Sequence, residues 1–494
     1  MNRREFIQTS SITAVSLVTG CSLQRKSFGG NTLANKRPNI ILVITDDQGY
    51  GDLSCHGNPV LKTPNLDALH AKSVRLTNFH VSPTCAPTRS ALFSGRHEFK
   101  NGVTHTLQER ERMSLKTVTL ADTLKKAGYT TGMFGKWHLG DEDAYQPFNR
   151  GFDECFNHGA GGIGQRYNGT SCADAPANQQ NRYFDPVILH NGIFVKTKGF
   201  CTDVFFRHAL GWINEKRKQK QPFFAYISTN APHGPYIAPD SYKKPFLDQG
   251  LAGGLVGFYG MIVNIDDNMK LLTDKLAEWG LEENTLLIFM TDNGTAAGGK
   301  VFNAGMKGTK GNTNEGGTRV PAFFSWKGRL KKGVDIGRLT AHIDMYPTLA
   351  ELAGIKVPGI GQVEGRSLVG LLEETNAKWD DRFLFTHVGR WPKGGDPESM
   401  KYQRFSVRSE RFLLVGKEKL YDMAADPGQK VNVIGKYPDV AKKMLDAYEQ
   451  WWKETRPLMV NEDEPVYEGK QPFVIKYEEQ LNSKGIANWI PPTI

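Results

Sequence analysis

The sequence has little of what marks a nucleic-acid-binding or membrane-spanning protein. It contains no run of five basic residues, no zinc-finger spacing and no RNA-binding aromatic motif. A hydrophobic content of 39% does not fit a multi-span membrane protein, and an aromatic content of 11% does not fit low-complexity disorder. Nucleic acid is therefore not expected as a partner, although 62 Lys and Arg against 52 Asp and Glu leave a net charge of +10.

Cysteine is also scarce, with six among 494 residues. A chain of this length can bury a large core without disulfide staples. In an exported protein the cysteines are expected to be paired, modified or buried. Cys21 and Cys85 belong to motifs described below. The other four allow two disulfides in three connectivities, or thiols, and the sequence does not choose between them: Cys55, Cys155, Cys172 and Cys201.

The N-terminus predicts an export signal. Arg3 and Arg4 precede an apolar stretch from Ile12 to Val18 that is too short to span a bilayer. Paired arginines, a weakly apolar stretch and small residues at its end are typical of a twin-arginine signal, with a Sec signal as the alternative. The segment ending at Cys21 also resembles a bacterial lipobox. We therefore expect an exported protein, either periplasmic or anchored to the outer membrane by a lipid on Cys21.

Four short apolar runs are each followed directly by polar side chains. Helical patterns precede three of these runs, and this alternation predicts a parallel or mostly parallel sheet. Ligands of such sheets bind beyond the carboxyl ends of the strands, so we expect the polar side chains to meet at one site. The runs with their polar followers are Ile40–Ile44 with Asp46 and Asp47, Tyr129–Phe134 with Lys136 and His138, Phe223–Ile227 with His233, and Leu286–Met290 with Asp292 and Asn293.

The polar residues that follow two of these apolar runs, the first and the fourth, predict a metal site. In both, Thr-Asp is followed by a second Asp or by Asn. Hard oxygen ligands without nearby Cys or clustered His suit calcium or magnesium better than zinc. The alternative is a pair of strand-ending turns in which the Asp side chain caps the backbone.

Cys85 is predicted to lie at the start of a helix. Pro87 suits a first helical turn, and Gly95 ends the pattern. Backbone N–H groups at a helix N-terminus attract anions and lower the pKa of a thiol. Arg89 follows one turn later, where it can contact a group held at Cys85. A buried structural thiol is the alternative.

Cys85, Pro87 and Arg89 form the pattern CxPxR, which continues as LFSGR and resembles the signature of the type I sulfatases. Other segments between residues 37 and 455 resemble that family in its order, among them GKWHLG, NAPHGP, TDNG and KGNTNEGGTRVP. Thr88 departs from the family, which commonly has Ser there, but keeps the hydroxyl. The resemblance implies the alkaline-phosphatase-like α/β fold, in which helices sandwich a large mixed, mostly parallel sheet. It also implies a smaller C-terminal α+β subdomain with an antiparallel sheet.

The resemblance further implies how sulfate esters are hydrolysed. A maturation enzyme would oxidise Cys85 to formylglycine (3-oxoalanine), whose hydrate would attack sulfur. One calcium ion per chain would polarise the sulfate. The implied ligands are Asp46, Asp47, Asp292, Asn293 and the modified Cys85; the implied catalytic residues are Arg89 and Lys136 for charge stabilisation, His233 with Lys310 for the leaving group, and His138 as the base that expels sulfate.

The C-terminal part is predicted to contact the substrate. We expect a signal and linker over residues 1–36, a catalytic domain over 37–380 and a subdomain with a tail over 381–494. His387, Arg390 and Trp391 place an aromatic ring beside cations, which suits a sulfated sugar. A domain-interface role for Trp391 is the alternative. The sequence favours a sulfatase of glycans, an exo-sulfatase first, over an aryl sulfatase. It leaves open exo or endo action, the sugar, the sulfate position and the oligomeric state.

Two other functions fit parts of the pattern. A phosphatase or phosphodiesterase of the same superfamily would use Ser or Thr as nucleophile and two zinc ions with several His ligands, and Cys85 and Asn293 argue against it. A catalytically dead glycan-binding lipoprotein would have lost a nucleophile or a ligand, and none of the matched positions is lost.

Overall fold

The centre of the molecule is a sheet whose strands are buried on both faces. The computed structural model describes residues 33–107, 109–163, 183–355, 362–462 and 469–494, and Leu33–Ile494 form one unit. Strand β1 (Asn39–Thr45) is buried at every position. Ile41 and Val43 enter one hydrophobic cluster while Ile40 and Leu42 enter another. Because side chains of a strand alternate between its faces, an unbroken apolar run indicates covered faces on both sides.

The order of the strands confirms a large mixed, mostly parallel sheet. The central strands β9, β1, β8, β4 and β5 run parallel, and antiparallel strands lie toward the edges. Numbered in chain order, the strands lie side by side as β11 (Val334–Ile336), β2 (Val74–Leu76), β10 (Ala322–Ser325), β9 (Thr285–Thr291), β1, β8 (Phe223–Ser228), β4 (Thr130–Lys136), β5 (Glu154–His158), β6 (Val187–His190), β7 (Ile193–Lys196) and β17 (Ala487–Asn488). A short parallel pair is formed by β3 (Phe79–His80) and β12 (Thr340–Ala341).

Helices cover the sheet, and local signals set their ends. Helix α3 begins with a capping box between Thr119 and Asp122. Helix α2 ends at Gly95, whose left-handed φ of 71° suits a residue without Cβ. None of the helices in the described residues is long and apolar enough to cross a membrane. The helices are α1 (Pro64–Lys72), α2 (Cys85–Ser94), α3 (Leu120–Lys126), α4 (Cys201–Lys216), α5 (Asp240–Asp248), α6 (Gly254–Glu278), α7 (Glu315–Thr318), α8 (Met345–Leu352), α9 (Val369–Glu373), α10 (Pro397–Met400), α11 (Pro438–Thr455) and α12 (Pro472–Ser483).

The C-terminal part contains the expected antiparallel sheet. Its strands pair in chain order, and the amphipathic helix α11 packs on it through Met444, Tyr448 and Trp452. The C-terminal tail packs on the large sheet instead. Phe473 and Tyr477 of α12 pack near Phe194, and β17 pairs with β7. The small sheet consists of β13 (Leu384–His387), β14 (Phe405–Arg408), β15 (Phe412–Val415) and β16 (Lys419–Asp422).

The described cysteines are thiols. Cys55, Cys85, Cys155 and Cys201 are all free. Cys155 and Cys201 belong to the hydrophobic clusters on opposite faces of the large sheet, which separates them. Cys172 and Cys21 lie outside the described residues, so the structure leaves the lipidation of Cys21 as a prediction.

Candidate active site

The acidic residues after β1 and β9 meet at the carboxyl end of the sheet. The backbone N–H of Asp47 donates to Asp292 Oδ1 at 3.1 Å, and Asn293 Nδ2 donates to Asp47 Oδ1 at 3.0 Å. Asp47 has a left-handed φ of 68°, which ends the extended strand conformation that would send Asp46 and Asp47 to opposite faces. All four side chains are buried.

Cys85 begins helix α2, as predicted, and joins this cluster. Thr84 before it is extended, and the whole helix is buried. The Cys85 Sγ and one carboxylate oxygen each of Asp46 and Asp292 lie within 4.8 Å of one another. The helix N-terminus therefore faces two carboxylates, an arrangement that a cation between them would stabilise.

Three cations neutralise the three carboxylates. Arg89 donates to Asp292 Oδ2 through Nη2 at 2.8 Å and Nε at 3.2 Å. Lys136 Nζ lies 2.5 Å from Asp46 Oδ2, and Lys310 Nζ lies 2.6 Å from the Asp47 carboxylate. Buried charges of this kind need partners, because desolvation of a lone ion is costly.

The pKa values reflect burial opposed by these neighbours. Burial raises the pKa of Asp46 to about 7, since the charge of Lys136 only partly offsets it. Burial and the charge of Asp46 raise the pKa of Asp292 to about 6. The pKa of Asp47 is lowered instead, because Lys310 and His233 outweigh its burial. Burial alone would raise the pKa of Cys85, but Lys136 and Lys310 lower it below 9.0. The site therefore favours an anionic group at position 85.

Both predicted catalytic histidines are neutral and oriented by carbonyl groups. His138 Nε2 donates to Thr106 O at 2.9 Å, which leaves Nδ1 deprotonated, and Nδ1 has no hydrogen-bond partner within the part of the chain that the structure describes. His233 Nδ1 donates to Gly234 O at 2.6 Å, and its Nε2 lies 3.9 Å from Asp47 Oδ2. Burial lowers the pKa of both imidazoles. A neutral imidazole with one unprotonated nitrogen can accept a proton at neutral pH.

Sequence reasoning missed the groups that hold these side chains. Arg89 Nη1 also donates to Tyr226 Oη at 3.3 Å and to Ser228 Oγ, both on β8. Thr106 orients His138, and Tyr183 Oη donates to the carbonyl of His233 at 2.8 Å. Tyr226 and Ser228 are polar at alternate positions of an apolar strand, and this spacing is a signal that they share a face.

Two predicted substrate residues are corrected by their burial. Trp391 is 4% exposed and His387 1% exposed, both packed in the core of the C-terminal part. Trp391 Nε1 donates to Glu462 Oε2 at 2.8 Å, and His387 is bonded to the backbone of Gly389 and Met400. A buried ring cannot stack on a sugar, so the interface alternative for Trp391 is the right one. Arg390 Nη2 donates at 2.9 Å to Oγ1 of Thr106, the residue that orients His138, and its role as a substrate contact remains a prediction.

His387 gives a prediction for stability. Burial lowers the pKa of His387 from 6.5 to about 4. Below pH 6.5 the unfolded chain therefore binds a proton that the folded chain does not, and the free energy of unfolding falls by up to about 1.4 kcal/mol per pH unit until about pH 4. We expect His387→Gln to make this acid slope shallower, as measured by urea unfolding at pH 4 to 7. An unchanged slope would show that the folded chain protonates His387 as readily as the unfolded chain does, which contradicts the lowered pKa.

The fold and the site define an α/β enzyme with a buried cluster of carboxylates and cations at the carboxyl ends of parallel strands. The chain belongs to the Sulfatase family, whose profile matches residues 38–355, while the C-terminal profile of N-sulphoglucosamine sulphohydrolase matches residues 310–454. It is a sulfuric ester hydrolase, as the resemblance implies.

Known proteins resemble the chain over most of its length. It is 31% identical to human N-acetylgalactosamine-6-sulfatase over 73% of this chain and 70% of the relative. It is 30% identical to human arylsulfatase A over 84% of this chain and 86% of the relative. The crystal structure of Ps i-CgsB in complex with k-i-k-neocarrahexaose is 26% identical, with a TM-score of 0.76, and covers 91% of this chain and 98% of that chain.

Proposed function

We propose that the enzyme removes sulfate from glycans with a formylglycine made from Cys85 and one calcium ion. The observation that carries this is the buried cluster in which a helix-start cysteine, carboxylates after two parallel strands and three cations come together. A hydrated formylglycine at position 85 would supply the hydroxyl that attacks sulfur, and a bound calcium ion would supply the positive charge that polarises the sulfate.

The oxygen atoms present fit a calcium ion. Asp46 Oδ1 and Asn293 Oδ1 are buried and have no hydrogen-bond partner among the described residues, which is costly unless a cation contacts them. The donor set is carboxylate and amide oxygen, which calcium prefers. The residues that would hold the ion are Asp46, Asp47, Asp292, Asn293 and the modified Cys85.

The chain's own side chains provide charge and proton transfer. Arg89 and Lys136 lie beside the nucleophile and stabilise negative charge on the sulfuryl oxygens. Nδ1 of His138 can accept the proton whose loss expels sulfate from position 85. Lys310 lies on the Asp47 side and can protonate the leaving sugar oxygen. His233 lies on the same side and can act as the acid only after its Nε2 has taken up a proton.

The similar proteins, the cations near the site and the net charge favour a sulfated glycan as the substrate class. Among similar proteins, N-acetylgalactosamine-6-sulfatase is named for a sugar, and Ps i-CgsB was solved with a neocarrahexaose. Arg390 adds a cation at Thr106, whose carbonyl accepts the hydrogen bond from His138. The net charge of +10 suits a polyanion. We further propose export by the N-terminal signal, with a lipid on Cys21, and maturation by a formylglycine-generating enzyme.

Sulfate release from a panel of glycans tests the function. We expect the matured, calcium-loaded enzyme to release sulfate from sulfated oligosaccharides, and removal of the metal by a chelator to abolish release until calcium is restored. Ion chromatography measures the sulfate, and phosphate monoesters and diesters in the same assay test the phosphatase alternative. Failure to release sulfate from any member, with Cys85 shown to be oxidised, would refute the proposal.

A further inference from the structure

Two arginines of the C-terminal part flank the catalytic groups without acidic partners. Arg390 Nη2 donates to Thr106 Oγ1 at 2.9 Å, and the carbonyl of Thr106 holds the catalytic His138. Arg404 Nη2 donates to Gly311 O at 2.8 Å, next to Lys310. In the part of the chain that the structure describes, neither guanidinium forms an ion pair, and Arg390 Nε has no hydrogen-bond partner.

The fold brings these arginines together. Arg390 follows β13 and Arg404 precedes β14, which pair antiparallel through His387 and Phe405. The backbone N–H of Val388 donates to Arg404 O at 3.1 Å, which ties the two chain segments beside the arginines. Burial lowers the pKa of Arg404, and the charge of Arg390 lowers it further. The pairing of β13 with β14 and this backbone hydrogen bond place Arg390 and Arg404 on adjacent chain segments, where their like charges act on each other.

Their backbones are also strained. Arg390 has a φ of 58° and Arg404 a φ of 53°, in the left-handed region that disfavours residues with a Cβ. Repulsion between like charges and strained backbone conformations both lower the stability of the folded chain. Residues with such unfavourable features are found most often at binding and active sites. Other arginines of the C-terminal part are neutralised instead: Arg382 by Asp344, Arg408 by Glu315 and Arg411 by Asp422.

We propose that Arg390 and Arg404 form a second anion site, which binds a further sulfate or carboxylate of the glycan whose sulfate is cleaved. The inference rests on the proposed function and narrows it to doubly anionic glycans. Planar guanidinium groups bind sulfate and carboxylate through paired hydrogen bonds, and a bound anion removes the repulsion between the cations. Arg404 distinguishes this site from the reaction centre, because its guanidinium bonds to the carbonyl of Gly311 and, among the described residues, to none of the predicted catalytic side chains.

The test compares substrates that differ in one anionic group. The probes are an N-acetylgalactosamine monosulfate, N-acetylgalactosamine 4,6-disulfate, and a monosulfated chondroitin disaccharide that carries a carboxylate on its second ring. We expect the wild type to prefer the doubly anionic probes. Arg404→Gln should lower kcat/KM about tenfold for them and little for the monosulfate. Preference for the disulfate or for the disaccharide identifies the second group as sulfate or carboxylate.

Matched variants separate binding from structure. Arg404→Lys should restore part of the preference, because it keeps the charge but not the planar fork. Arg207→Gln removes an exposed arginine of helix α4 and should leave all three rates unchanged. Equal losses on all probes, or no preference in the wild type, would overturn the second anion site. Sulfate release without that preference would leave the proposed function standing.

Discussion

Replacement of Cys85 by alanine should lower sulfate release by about 10,000-fold or more, because removal of a covalent nucleophile leaves only binding and charge stabilisation. The side chain is buried at the start of α2 beside Asp46 and Asp292. Alanine keeps the helix and loses only the sulfur, so folding should be nearly intact. The measurement is kcat on the best glycan of the panel, with the urea midpoint as the check on folding.

Cys201 offers a matched control for this experiment. It is also buried and also begins a helix, α4. Burial raises the pKa of Cys201, whereas Lys136 and Lys310 lower that of Cys85. Cys201→Ala should therefore keep full activity. Peptide masses should show a loss of about 18 Da, the change from thiol to aldehyde, at Cys85 and not at Cys201. An active Cys85→Ala enzyme would contradict the assigned nucleophile.

The site was predictable from the sequence where it depends on strand ends. The central strands are parallel, so the polar residues at their carboxyl ends were expected to lie at one edge of the sheet. Asp46, Asp292 and Lys136 lie there. The position of Cys85 at the start of a helix could likewise be predicted from Pro87 and Gly95. These features follow from chain order and local backbone rules, which a sequence displays directly.

What could not be predicted depends on which way a loop side chain points. Trp391 looked like a sugar platform because cations stand beside it, yet its ring packs against Phe99 and its indole N–H meets Glu462. Arg390, its neighbour, points toward Thr106. Glu462 and Thr106 are far from Trp391 and Arg390 in sequence, and only the folded chain shows the contacts. The fold class was predictable, but this loop required the structure.

Arg89→Met should cost both stability and activity. The side chain is fully buried and donates two hydrogen bonds to Asp292, together with bonds to Lys136 O, Tyr226 and Ser228. Breaking a buried ion pair by removing one partner leaves an uncompensated charge and costs about 3–5 kcal/mol. We expect the free energy of unfolding to fall by that amount in urea titrations, and sulfate release to be lost at temperatures where the variant is still folded.

Two comparisons separate the structural from the catalytic part of this effect. Arg382→Met breaks another buried pair, with Asp344, and should lower stability similarly while the folded fraction keeps its kcat. In the double variant Arg89→Met/Asp292→Asn the unpaired carboxylate is gone, so much of the stability should return. Activity should not return, because the reacting sulfate would lack a cation and the proposed calcium ion would lack a ligand. Recovery of activity in the double variant would mean that Arg89 only neutralises Asp292 and does not stabilise the reacting sulfate.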